Sequence, residues 1–246
     1  MSITKTPMLD DNGHVKFVVS TGVDITKARK SEEDLELARS KLNLCGSLIR
    51  HDAMNQLTVI MGAAELAKDQ FPEPRIEKYM RMIMKSAASI GRALDFAREY
   101  QEIGTKEPVW KNLNECIKEA RAALGAQDIS VEADNCNFEV LADPLLMRVF
   151  YNLIDNAVKH GCGAETIRMY CSPSGEELRL ICEEDGVGIP EPKKASLFSA
   201  GQGLHMVKDI LAMTGIEIVE RGEYGKGARF EIIVPKECYR PSGQAT

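Results

Sequence analysis

Four short patterns hold the residues that chemistry would use. His51 is followed by Asp52 and, one helical turn on, by Asn55. Side chains four apart on a helix share a face. A carboxylate beside an imidazole holds the proton of one ring nitrogen and leaves the other free as a nucleophile, and a neutral amide one turn away can position a water. Asn152 and Asn156 repeat the four-residue spacing, with Lys159 and His160 closing the same segment. Two side-chain carbonyls able to ligate Mg²⁺ or its waters, beside a cation, suit a triphosphate. Asp185-Gly186-Val187-Gly188 leaves an apolar run with an acid and two glycines. There the backbone can approach a ligand closely, and the carboxylate can accept from an exocyclic amine such as that of adenine. Gly201-Gln202-Gly203-Leu204 opens a helical pattern, where free N–H groups and the positive end of the helix dipole hold phosphate. Singly, each has an ordinary explanation: a surface histidine, a solvated Asn/Lys face, glycines as turns or caps. Their order along the chain is the stronger argument.

These patterns lie on two unlike stretches. Residues 1–27 carry one strand-like run, 15–23, behind the turn residues Asp10-Asp11-Asn12-Gly13. That is too little to bury a core and reads as the tail of a larger domain, with 1–6 able to pair with it. From residue 27 the chain turns charged and helical. Leu35, Ala38, Leu42, Cys45 and Ile49 recur at spacings 3, 4, 3, 4, the heptad seam of a coiled coil. The helix breaks at Asp69-Gln70-Phe71-Pro72-Glu73-Pro74, and a second carries Ile76, Tyr79, Ile83, Ile90, Leu94 and Ala97 as far as Gly104. Two helices cannot enclose a core, so the hairpin is expected to dimerise into a four-helix bundle. His51 is rotated about 200° from the seam residue Ile49 and points away from that core. After Gly104 the pattern is mixed. Helices are expected over 113–124, 144–159 and 204–213, and strands over 129–133, 138–142, 166–171, 178–183, 217–221 and 228–234. This half reads as an α+β sandwich, with helices on one face of a mainly antiparallel sheet.

Composition narrows the class further. The 246 residues are 44% hydrophobic and 28% charged, an ordinary globular balance. Lys and Arg number 31 against 37 Asp and Glu, for a formal net charge of −6, and no basic block stands out. Neither a nucleic-acid surface nor a polybasic membrane contact is expected. The longest uncharged, mainly apolar run, 57–64, falls far short of the ~20 residues that cross a bilayer, so the segment reads as soluble and cytoplasmic. Seven scattered cysteines without a C-x-x-C pair argue against a disulfide framework and a zinc site.

Taken in order, His-Asp-x-x-Asn on a hairpin, Asn-x-x-x-Asn-Ala, Asp-Gly-x-Gly-Ile, Gly-x-Gly-Leu and Gly-x-Gly-x-x-Phe make residues 28–235 resemble the sensor histidine kinases of two-component systems. The patterns look like that family's H, N, G1, G2 and G3 boxes. The resemblance implies a coiled-coil linker with a dimerisation and histidine-phosphotransfer hairpin over 28–104. A Bergerat-type (GHKL) ATP-binding α/β sandwich follows over 105–246. Residues 1–27, ending in Asp24-Ile25-Thr26, resemble the exit of a PAS sensor domain.

Residue by residue, the resemblance makes His51 the phosphoacceptor and Asp52 its activating neighbour. Asn55 becomes the residue that orients the water for dephosphorylating a partner. Asn156 matches a Mg²⁺ ligand; Asn152, a second candidate ligand, stands where related ATPases carry a catalytic glutamate, which favours transfer to histidine over hydrolysis. Lys159 and His160 fall at the phosphate end and Asp185 at the adenine. Gly186 and Gly188 form the adjoining turn, Gly201, Gly203 and Leu204 the phosphate-side loop, and Gly225 and Gly227 a structural hairpin. ATP and Mg²⁺ are the implied cofactors. A response-regulator receiver domain and a second copy of the chain are the implied partners. Three departures stand out: a short lid between Pro190 and Gly201 with only Lys193 and Lys194 as cations, His205 where a small residue is common, and Asp52 where Glu is commoner. The short lid predicts modest nucleotide affinity and rapid exchange. Two alternatives are a serine or protein kinase or ATPase on the same scaffold, and a pseudokinase acting as a dimeric scaffold or phosphatase.

Overall fold

The computed structural model describes residues 2–9, 13, 15–125, 129–199 and 202–243. The chain forms two compact units, 1–95 and 96–246.

In the first unit, β1 (Ser2–Leu9) pairs antiparallel with β2 (Val15–Val23), from Ser2 opposite Val23 to Leu9 opposite Val15. Of the expected turn before β2, Asp10, Asp11 and Asn12 lie outside the described residues. Ile3, Met8, Phe17, Val19 and Val23 are all exposed, so the ribbon has no core of its own. Asp24 then starts the long helix: its Oδ1 accepts from the Thr26 N–H at 2.9 Å and the Thr26 hydroxyl at 2.6 Å. One of the N–H groups left open at a helix start is thereby satisfied.

Helix α1 (Thr26–Gln70) runs 45 residues to the break at Phe71, and α2 (Pro74–Glu102) begins on a proline, whose missing N–H costs nothing at a helix start. Leu57 and Ala64 of α1 and Ala87 of α2 are buried. A Cβ placed on Gly91 would lie 3.9 Å from Leu57 Cδ1 and 4.0 Å from the Met54 sulfur, so α2 meets α1 along a stripe of small residues. The seam residues Leu35, Leu42 and Ile49 stay 70%, 71% and 68% exposed. The stripe expected on α2 divides. Ile76 and Leu94 are half-buried, whereas Tyr79, Ile83 and Ile90 are bare.

The second unit takes in the end of α2. Phe96 and Ile103 pack against its core, Glu99 pairs with Arg148, and the Gly104 N–H donates to Oδ2 of buried Asp143 at 2.9 Å. The expected boundary at Gly104 therefore moves back to Asp95/Phe96, because the apolar side of the last turns of α2 belongs to the core of residues 96–246. Next come β3 (Val109–Asn112), α3 (Leu113–Leu124), β4 (Ser130–Asp134), β5 (Phe138–Ala142), α4 (Leu146–His160), β6 (Thr166–Ser174) and β7 (Glu177–Glu184). They are followed by α5 (Glu191–Lys194), α6 (Gln202–Ala212), β8 (Glu217–Glu220), β9 (Arg229–Pro235) and β10 (Tyr239–Pro241).

The strands make two sheets where one was expected. Strands β10-β5-β3 form a small antiparallel sheet, and β4-β6-β7-β9-β8 a larger one in which β4 pairs parallel with β6 and the remaining neighbours pair antiparallel. Ile167, Met169, Leu178, Leu180, Ile232 and Val234 face Phe150, Leu153 and Ile154 of α4 and Ile210 and Leu211 of α6 in one core. Arg168, between two buried residues of β6, faces out, the period-2 alternation of a sheet covered on one face. The α+β reading holds. Helix α4 starts two residues later than expected because Asp143 Oδ1 accepts the Leu145 N–H at 2.8 Å. Among the described residues no helix is long and apolar enough to cross a membrane.

Candidate active site

His51 sits midway along α1 with its side chain 72% exposed, and Asp52 is 81% exposed. Its Nδ1 lies 3.3 Å from Asp52 Oδ1 and 3.4 Å from Asn55 Nδ2. One ring nitrogen cannot serve both as donor and as acceptor. The carboxylate is the stronger partner, so Nδ1 carries the proton, Asn55 stands beside it, and Nε2 is left as a nucleophile facing solvent.

The second constellation lies wholly within residues 96–246. On α4, Asn152 and Asn156 are half-buried one turn apart. Asn152 Nδ2 donates to the Arg148 carbonyl at 2.8 Å. Its Oδ1 faces α6, where a Cβ on Gly203 would stand only 2.9 Å away. Glycine at 203 thus leaves the Asn152 amide its place, which a Cβ there would force to shift. Asn156 Nδ2 is buried and has no partner among the described residues. A buried N–H donor left in that state is completed by an acceptor other than protein, which fits a phosphate oxygen of a bound nucleotide. Lys159 is exposed but tied at 2.6 Å to Asp155, and His160 ends the helix, also exposed.

At the exit of β7, Asp185 Oδ1 accepts from the N–H groups of Glu165 at 2.8 Å and Thr166 at 3.0 Å. Thr166 first, then Glu165, hold this carboxyl below the usual carboxylate range, so it stays an acceptor at neutral pH, with Oδ2 available to an external donor. The turn behind it is backbone against backbone. A Cβ on Gly186 would fall 2.0 Å from the Gly161 carbonyl oxygen, and one on Gly227 1.8 Å from that of Glu184. Gly188 has φ +69 and is equally hemmed in by the carbonyls of Gly227 and Glu223. Bonds from Val187 N–H to Gly161 O (3.0 Å) and from Gly225 N–H to Val187 O (2.7 Å) lock the corner. Gly225 and Gly227 accordingly act as a structural hairpin that braces the Asp185 turn.

Other expected residues fall differently. Gly201 lies outside the described residues. Leu204 packs its side chain against the core. Lys194 is engaged: it bonds the Gly222 carbonyl at 2.6 Å and pairs at 3.0 Å with Glu191 and with buried Glu220, and these two carboxylates, Glu191 first, push its pKa up. Lys193 is left as the exposed cation of the short lid. Sequence reasoning missed Gly161, although a glycine just past a helix end is a familiar signal. It also missed Glu184, whose burial raises its pKa and whose Oε2 has no partner among the described residues. A cavity of about 440 Å³ beside Asp185, lined by Thr166, Arg168, Glu183, Arg221, Lys226 and Arg229, opens on the outer face of the large sheet. Since Asn152 and Asn156 rise from the helix layer, that cavity is separate from the face they share.

A family model, the histidine kinase-, DNA gyrase B- and HSP90-like ATPase domain, matches residues 142–237. The aerobic respiration control sensor protein ArcB of Escherichia coli (strain K12) is 24% identical over 261 residues, spanning 94% of this chain and 33% of that protein. The signal transduction histidine-protein kinase AtoS of the same strain is 24% identical over 266 residues, spanning 100% and 43%. The chain thus covers well under half the length of these curated relatives. Among solved structures, histidine kinase ThkA in complex with response regulator protein TrrA aligns with a TM-score of 0.56 at 24% identity, over 95% of this chain and 74% of that one. Full-length ShkA in complex with AMPPNP aligns with 0.58 at 20% identity, over 81% and 46%. At these identities the structural likeness establishes a shared fold.

Proposed function

We propose that the chain is a sensor histidine kinase that moves the γ-phosphoryl group of ATP to His51 and from there to an aspartate of a response-regulator receiver domain; the ATPase-domain match over 142–237 and the likeness to ArcB and AtoS support this reading. The observation that carries this reading is the exposed imidazole with Asp52 on Nδ1 and, among the described residues, no partner on Nε2. The Nε2 lone pair forms the new P–N bond as the bond from phosphorus to the ADP oxygen breaks. Nδ1 keeps its proton, and Asp52 offsets the positive charge the ring gains. Positioning supplies most of the effect for so loose a transition state. Asp185 fixes the base, the Asn152 and Asn156 face and the Gly203 turn hold the phosphates, and no carboxylate replaces Asn152 to activate a competing water. Mg²⁺, held through Asn156 with Asn152 beside it, would neutralise the leaving phosphates. Passing the group on breaks the P–N bond in favour of an acyl phosphate on the regulator, and Asn55 is placed to orient the water that later removes it.

The bare faces of α1 and α2 support a homodimer that buries Leu35, Leu42, Ile49, Ile83 and Ile90. The exposed ribbon β1–β2 supports a PAS-like sensor element ahead of the hairpin, and the whole segment is taken to work in the cytoplasm. Incubation with γ-labelled ATP tests the central step. Wild type is expected to take up acid-labile, alkali-stable label, and His51→Gln to take up none while still binding ATP. Acid-stable label, or label persisting in His51→Gln, would overturn the assignment.

A further inference from the structure

His205, out of place by its size, joins the lid to the hairpin helix. Its Nδ1 lies 3.0 Å from the Phe198 carbonyl oxygen. A carbonyl only accepts, so Nδ1 is the donor. The other ring nitrogen, Nε2, lies 3.5 Å from both the Tyr100 hydroxyl and Asp209 Oδ2, and the Tyr100 hydroxyl donates to that same Oδ2 at 2.5 Å. The rings continue the connection. Phe96 stacks on Tyr100 at 5.7 Å between centroids, and Tyr100 on His205 at 6.0 Å. Phe96 and Tyr100 stand on the last turns of α2, ahead of the 142–237 stretch that matches the ATPase family. Neighbouring Glu99 pairs with Arg148, whose carbonyl holds the Asn152 amide. The first turn of α6, which carries Gly203, thus lies close beside the Asn152 amide on one side and is tied on the other by a ring and a carboxylate that reach back to α2.

We infer that His205 and Tyr100 are positioning residues through which the end of the second hairpin helix sets the placement of residues 191–199 and the α6 start, and with it the affinity for nucleotide. The inference rests on the reading of the Gly203 turn as a phosphate site. It gives the hairpin a way to tune ATP binding without touching ATP: a turn of α2 that moves Tyr100 moves the donor on Phe198.

The test is titration calorimetry of MgATP with the full chain, beside the autophosphorylation rate at saturating ATP. Losing one such hydrogen bond, Tyr100→Phe and His205→Leu should each weaken MgATP binding about fivefold. The double variant should be little weaker than either alone, because one connection is cut twice. His205→Asn, which returns an N–H near the Nδ1 position, should recover most of the loss, and the saturated rate should stay within about twofold throughout. Unchanged affinities in the single variants, losses that multiply in the double variant, or no recovery in His205→Asn would each overturn the inference. Wild type that takes up no MgATP overturns the proposed function along with it. Wild-type binding with unaffected variants overturns this inference alone.

Discussion

The hairpin and the ATP-binding unit solve the burial of apolar side chains in opposite ways. In residues 96–246, three helices and a five-stranded sheet enclose Phe150, Leu153, Ile167, Met169, Leu180 and Ile210, each 2% exposed or less. In the hairpin, the buried positions among the described residues are Leu57, Ala64 and Ala87, while Leu35, Leu42, Ile49, Tyr79, Ile83 and Ile90 are exposed. Each large apolar side chain moved out of water is worth roughly 1.5–3 kcal/mol. The first unit therefore leaves unclaimed the term that stabilises the second. The two halves of the proposed chemistry follow the same division. His51, the proposed phosphoacceptor, needs to be approached and stands on the exposed element. The carboxylate, amide and glycine turns proposed to hold nucleotide need to be rigid and stand on the closed one.

The strongest way to break this contrast is to put charge on the bare face. Ile83→Glu with Ile90→Glu is expected to convert a dimer into a monomer in sedimentation and to melt the hairpin, while the unfolding transition of residues 96–246 stays where it was. A mass unchanged by the pair of substitutions would mean that this face is not what joins two copies. Next in size, Gly227→Ala asks for a methyl group 1.8 Å from the Glu184 carbonyl oxygen at φ +120. The ATP-binding unit should lose about 3 kcal/mol in denaturant titration and bind ATP weakly, with the hairpin transition unmoved. The smallest effect is Lys159→Met. Its pair with Asp155 is an exposed i, i+4 contact, so stability should change by less than about 0.5 kcal/mol. Any clear fall in ATP affinity would then report a direct contact of Lys159 with phosphate.

Much of the site could be read in advance because its signals are local. The His51, Asp52 and Asn55 spacing lies within one turn of an unbroken helix, and the Asp185 turn announces itself by glycines after a strand. What stayed hidden depends on residues far apart in sequence. Lys194 looks like a lid cation until Glu220 and Gly222 claim it. The end of α2 reads as hairpin until Phe96 and Ile103 join the core of residues 96–246. Strands β3 and β10 are 4 and 3 residues long, too short for an alternating pattern, and owe their existence to pairing with β5. The split into two sheets is settled by those same pairings.

The corner formed by Gly161, Gly186 and Gly227 bears on how such a protein can change over generations. Three stretches of main chain touch there with no room for even one carbon atom, so inherited variation at those positions is closed off. If Asp185 reads the base as proposed, a shift of nucleotide preference has to come through Asp185 or through the neighbours that aim it, above all the Glu165 and Thr166 amides. Adaptation is thereby directed away from this corner and onto the polar, exposed positions of the hairpin helices, where no main chain presses on the side chain.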